Sequence, residues 1–287
     1  MRDDGPPPIP PGYTAVQLFS DPTPNAVINQ RLLAPLMQMR RYADLTAAEG
    51  SHYADLMILI GRKLASVWKH LDQYRTEEGR LVEEFRQKPS VDHVQWDPSQ
   101  VLFSEFDEFT VQIKSTLDHL VKVMVPMLGQ RKWTLRTFEN KGEGVLNALK
   151  RNTGKKHEGR VRMMEALLFE RHVGWLDAVI GARDRVNHYL DGGINIHVFS
   201  VARNPDGTVE VPMWSKQEKL RDVMEFFWSA LIKFVEDFVV LALNFRMSDE
   251  YGLVRADVPA DRPVSPWKVV PASVTKQMSE SHRAKPL

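Results

Sequence analysis

The stretch "LRDVMEFFWSALIKFVEDFVVLALNF", residues 220–245, holds neither proline nor glycine and is apolar on nearly every face. Wound as a helix, Leu220, Phe227, Leu231, Phe234, Phe238 and Phe245 fill one side. Phe226, Ile232, Val239 and Leu243 fill the others. A helix apolar all round belongs at the centre of a core or in an oligomer contact. Ser215 reads as its N-cap. The other elements are then expected to wrap around it.

Helical spacing recurs upstream. From Ser51 to Arg86 the apolar positions Leu56, Ile60, Leu64, Trp68, Leu71 and Tyr74 share a face. Gln100 to Leu128 repeats the pattern with Phe106, Ile113, Leu117, Leu120, Met124 and Leu128. A third long helix is expected from Lys156 to Leu190, and one from Asn25 to Thr46 with a bend at Pro35. A short helix is expected at 143–151. "KPSVDHVQWDP", residues 88–98, reads as a loop with a proline near each end. "INIHVFSV" and "TVEVPMW" flank the turn signal Asn204-Pro205-Asp206-Gly207, which predicts a β-hairpin at about 194–213. Residues 1–24 form a proline-rich arm, and 257–287, with scattered prolines, read as a loose tail. The expected fold is all-α: one antiparallel helical bundle over 25–250 with a small inserted β-hairpin.

The chain of 287 residues is 43% hydrophobic and 26% charged, the balance of an ordinary globular protein. Its sequence lacks an apolar run of roughly 18 residues, so no membrane partner is expected. "MRDDGPPPIPPG" does not read as a secretory signal. The absence of cysteine removes disulfides, thiolate nucleophiles and Cys-type zinc sites, and fits the cytoplasm. The histidines show no metal-ligand spacing, so neither metal nor cofactor is expected. Net charge is only +1, but residues 129–162 carry ten Lys/Arg against Glu139, Glu143 and Glu158, a local +7. Such asymmetry is the footprint of a phosphate-binding surface, or else of solvated basic helix ends. Lys150, Arg151, Lys155, Lys156 and Arg160 are the candidate RNA contacts.

The stripe of the third helix runs Val161, Met164, Leu168, His172, Trp175, Val179, Arg183, Val186, Leu190. Arg183 interrupts it, inside "ARDRVNHYLDGG", residues 182–193. A guanidinium keeps its proton, so it needs an anion or water. Asp107 or Asp118 could pair with it, or its stem could be buried with the head wet. Asp184 and His188 stand at i, i+4, a spacing that lets the carboxylate orient the imidazole and raise its pKa. Arg183 and Asn187 share another face. Arg183 and His188 lie about 140° apart on an ideal helix, so one helix does not aim both at one small target. Asp191-Gly192-Gly193 reads as the helix stop.

At "RDRVNH" the sequence resembles the HEPN superfamily of helical proteins, whose signature is Arg, four to six residues, then His. The resemblance covers roughly 100–245, where the order of helices is also similar. The loose pattern occurs three times, at Arg86–His93, Arg151–His157 and Arg183–His188. Only the last combines the four-residue gap, an acidic second residue and a place late in an amphipathic helix. Where some members carry a tyrosine two residues after the histidine, this chain has Leu190. The resemblance implies a metal-independent RNA endonuclease, in which a ribose 2′-OH attacks the adjacent phosphate. His188 would move the proton, Arg183 would hold the phosphoryl oxygens, and Asp184 and Asn187 would support them. It further implies a homodimer in which two motifs meet, a toxin or antiphage abortive-infection role, and an antitoxin or other defence-system partner. Two other classes fit the same residues: a non-catalytic helical scaffold, and an RNA- or nucleotide-binding subunit that uses the basic segment without cleaving.

Overall fold

The computed structural model describes residues 20–89, 92–129, 132–138, 142–171, 173–188 and 199–275; the side chains of 170, 171, 173 and 184–188 lie outside that description. The chain is mainly helical, with small antiparallel sheets. Helix α8, Leu220–Asn244, is the central element: Phe227, Leu231, Phe234, Phe238 and Leu243 are all buried. One chain therefore accounts for its all-round apolar character, and no oligomer is needed to cover it. Only Phe226, on its first turns, stays well exposed, at 58%. Ser215 does not cap it. Ser215 Oγ bonds Glu218 in a tight turn, Leu220 N–H is taken by Pro212 O, and the helix starts after Lys219.

Helix α1 spans Ala34–Met39 and α2 spans Ala47–Gln87. Thr46 and Glu49 close a capping box at the start of α2, satisfying donors that the first turn would leave open. At its other end Arg203 donates to the carbonyls of Phe85 and Lys88, a cation placed on the negative helix terminus. Helix α3, Gln100–Lys122, is capped by Ser99 and runs antiparallel to α2. The sense is fixed by His70–Glu105 at 2.7 Å and Lys63–Gln112 at 3.1 Å. Helix α8 also opposes α2: Arg246 meets Glu49 at one end, and Trp68 meets Trp228 at 5.3 Å toward the other.

The expected helix over 100–128 breaks at Val123, and Met124–Leu128 forms a separate α4. Pro126 cannot donate to Lys122 O, so the register cannot continue. The expected helix over 25–46 is likewise divided. A 3-10 turn at Pro24–Ala26 and a wide π-turn at Ile28–Leu33 precede α1, and a 3-10 turn at Arg40–Tyr42 follows it. Pro35 sits in the first turn of α1, where its missing N–H costs least. Helix α5 is Glu143–Asn152. The long helix expected over 156–190 is α6, Glu158–Ala166, a π-turn at Leu167–Arg171, and α7, Val173–His188.

Two expectations are corrected. Gln95–Pro98, taken for loop, is strand β1, paired antiparallel with β2, Ser200–Arg203. β2 turns through Asn204–Gly207, with Gly207 at φ 86°, into β3, Val209–Glu210. The hairpin is thus the inner part of a three-stranded sheet; residues 194–198 of its expected span lie outside the described residues. The tail expected to be loose is built into the fold through residue 275. Strand β4, Tyr251–Arg255, pairs with β5, Trp267–Pro271. Two adjacent acids of α8 hold this hairpin. Glu236 meets Arg31 and Ser265, and Asp237 meets Arg255 and the Trp267 indole. Arg31 also donates to the carbonyls of Val258, Pro259 and Arg262, which a proline-rich segment leaves without sheet partners. Of the proline-rich arm, 1–19 lie outside the described residues.

Candidate nucleic-acid interface

Helix α5 carries Val145, Leu146 and Leu149 inward, which turns Lys150 and Arg151 outward at its end. Thr153 and Gly154 break the helix, and Lys155–His157 form a 3-10 turn leading into α6. Five of the predicted RNA contacts therefore gather on one corner, between α5 and the first turns of α6. They are not equivalent. Lys150 is paired with Glu165 at 2.9 Å. Arg160 is paired with Asp249 at 2.9 Å and also donates to Met247 O at 3.1 Å, which ties α6 to the loop after α8. Arg162 is taken by Glu158 within its own helix. Arg151 donates only to Asn147 O, and no carboxylate lies within ion-pairing distance of Arg151, Lys155 or Lys156 among the described residues. All three are exposed. The +7 of the sequence is thus partly spent inside the fold, and Arg151, Lys155 and Lys156 form a ridge at this corner that no described carboxylate neutralises.

Beside the ridge lies a cleft of about 740 Å³, lined by Lys156, His157, Arg160, Phe245, Arg246 and Ser248, with Asp44, Asp249 and Glu250 along its other side. His157 tilts over the buried Phe245 ring at 5.9 Å, and its Nδ1 lies 3.2 Å from Arg160 Nη1. A guanidinium can only donate, so Nδ1 accepts and the proton sits on Nε2. Burial first, then Arg160, Lys156 and Lys132, hold the imidazole below the ordinary histidine range, with Asp249 opposing. This cleft is absent from the sequence reading. Its one sequence signal is the Arg151–His157 spacing, which lacks the four-residue gap and the acidic second residue of Arg183–His188. Nothing in a linear reading links Arg160 with Asp249, 89 positions away.

The Arg183 motif sits elsewhere. Arg183 is half-buried on α7 and borders a narrow crevice against α3, with Thr110, Lys114, Leu117 and Val179. Of the two acids expected as partners, Asp118 accepts from Lys114 at 2.5 Å and from Phe138 N–H at 2.7 Å. Of the stripe, Val161, Met164, Leu168, Trp175 and Val179 are buried, while His172, Leu190 and the Val186 side chain lie outside the described residues. The backbone of α7 carries Arg183, Asp184, Asn187 and His188 on one continuous helix. The side chains of Asp184, Asn187 and His188 lie outside the described residues. The crevice at Arg183 and the cleft at His157 share no lining residue.

No family model, no curated protein and no solved structure matches this chain.

Proposed function

We propose that the chain is a helical RNA-binding protein that grips the phosphate backbone along the α5–α6 corner. The observation that carries this reading is the trio Arg151, Lys155 and Lys156, exposed and with no carboxylate in ion-pairing distance among the described residues, while Lys150, Arg160 and Arg162 beside them are paired. Unneutralised cations on a rigid corner attract a polyanion and release its counterions. Binding of a fluorescent single-stranded RNA to the wild type and to the Arg151→Ala/Lys155→Ala/Lys156→Ala variant tests it. Equal affinity in the two proteins rejects the corner as the RNA contact.

A second reading is the metal-independent endoribonuclease of HEPN type, with the toxin or antiphage role and the partners that go with it. It is favoured by the half-buried Arg183, neither sealed in the core nor fully exposed, late on the helix that ends at His188. A homodimer would bring a second motif to the first, supplying what one helix cannot. Cleavage in EDTA that leaves 2′,3′-cyclic phosphate ends tests this reading. Its absence leaves the binding reading alone.

A further inference from the structure

We propose that the cleft between the first turns of α7, the 213–219 turn and the first turns of α8 binds a small, free quaternary ammonium compound, held by Trp214, Phe226 and Phe227 with Glu218 and Asp222. The cleft measures about 420 Å³, the size of a small-molecule pocket and too small to seat a helix of a partner protein. Buried Trp175 and Phe227 and half-buried Trp214 line it, together with the exposed Phe226. The Trp214 ring lies 6.0 Å from that of Phe227 at 88°, and the Phe226 ring lies 6.1 Å from it at 48°. At those angles the three rings form a corner, not a stack. A cation seated against such a corner is attracted by the quadrupoles of several rings at once.

The charges of the cleft set the class of ligand. Glu218 and Asp222 line it, and no lysine or arginine does among the described residues. Lys216 and Lys219 flank the turn, exposed, without lining the cleft. The turn is fixed before any ligand arrives: Trp214 N–H donates to Glu218 O at 2.8 Å, Met213 pairs with Lys219, and Ser215 Oγ donates to Glu218 Oε2 at 3.1 Å. Asp222 lies 3.6 Å from Arg221, but Arg221 is closer to Glu78, at 3.0 Å, and also faces Glu225 at 4.0 Å. One guanidinium is thus shared among three carboxylates, with Arg75 adding to Glu225 alone, so Asp222 keeps much of its charge. An aromatic corner with two carboxylates repels anions and attracts a cation with an apolar shell. A quaternary ammonium has no N–H donor to satisfy, so ring faces suit it where a primary ammonium would lack acceptors. The site is independent of RNA binding at the α5–α6 corner.

The test is nuclear magnetic resonance of the intact, isotope-labelled protein, following the Trp214 indole N–H. Choline, at constant ionic strength set with sodium chloride, should shift it saturably. Its uncharged twin 3,3-dimethylbutan-1-ol, of the same shape, should bind at least about tenfold more weakly. Phe226→Leu keeps an apolar side chain at an exposed position and removes one ring. Glu218→Gln/Asp222→Asn keeps the hydrogen-bonding shape and removes the charge. Each protein should bind choline at least about threefold more weakly than the wild type, with the alcohol little changed. Equal binding of choline and the alcohol would make the cleft merely apolar and overturn the proposal, as would the absence of a saturable shift or full choline affinity in both variants. A trimethyllysine peptide binding more than about tenfold tighter than choline would make a protein side chain the occupant, and a dimer that Phe226→Leu splits would make it a second copy. Either of these also overturns the assignment to a free compound.

Discussion

Arg31 donates from Nη2 to Glu236 Oε2 at 3.0 Å, with both side chains wholly excluded from water. The pair joins the first helical turns to the middle of α8, and the remaining Arg31 donors reach the segment that leads to β5. Burial pushes the Glu236 carboxyl up to about 7, against the pull of Arg31 and Ser265. Arg31→Met should cost about 3–5 kcal/mol, the range for breaking a buried pair, measured by urea unfolding. Replacing both, as Arg31→Met/Glu236→Leu, should cost less than the sum of the single changes. Additive losses would mean that the two side chains do not act as a unit.

His157 gives stability a pH dependence. Its folded-state pKa lies below the unfolded value of about 6.5, so the unfolded chain binds the proton better. Its contribution is therefore full above about 6.5 and is lost as pH falls toward the depressed folded value. Glu236, raised to about 7, acts in the opposite sense over the same range. The check is therefore a difference: the Tm advantage of the wild type over His157→Asn should shrink as pH falls from about 7.5 to about 5.5. An unchanged slope in the variant would assign the dependence to other groups.

Thr46→Ala should destabilise the protein by about 1 kcal/mol, the usual worth of an N-cap, read from chemical denaturation. The reciprocal bonds between Thr46 and Glu49 are the only side-chain cap at the start of α2. A loss near zero would show that packing alone fixes where α2 begins.

The helices were the legible part of this fold. Apolar residues repeat every three or four positions along α2, α3 and α8, and burial follows that stripe, as Leu64, Leu71, Ile113 and Leu117 show. The break at Val123 has a signal in Pro126, which the apolar periodicity running through it obscured, whereas the turn at Leu167 has none, because propensity changes little there. β1 was missed because "QWDP" has no alternation, and its strand character comes from β2. The β4–β5 hairpin was hidden by its prolines, and it is stabilised by Glu236 and Asp237, which precede it on α8. The basic corner was legible as charge. Which of its cations are already paired was not, since Glu165 and Asp249 are brought to Lys150 and Arg160 by the fold.

If the chain cleaves RNA, Arg183→Ala and His188→Ala should each lower the single-turnover rate by roughly 10²–10⁴ with RNA affinity nearly unchanged. Wild-type rates in both variants would remove the motif from the chemistry. Light scattering on the same samples should give a dimer, as joining two motifs requires.

The salt dependence of RNA affinity tests the corner most directly. Each phosphate contact on a single strand contributes about −0.7 to the slope of log K against log salt. The Arg151→Ala/Lys155→Ala/Lys156→Ala protein should therefore bind more weakly and show a slope shallower by up to about 2. A slope and affinity equal to those of the wild type would contradict the account, because RNA would then be held away from these cations.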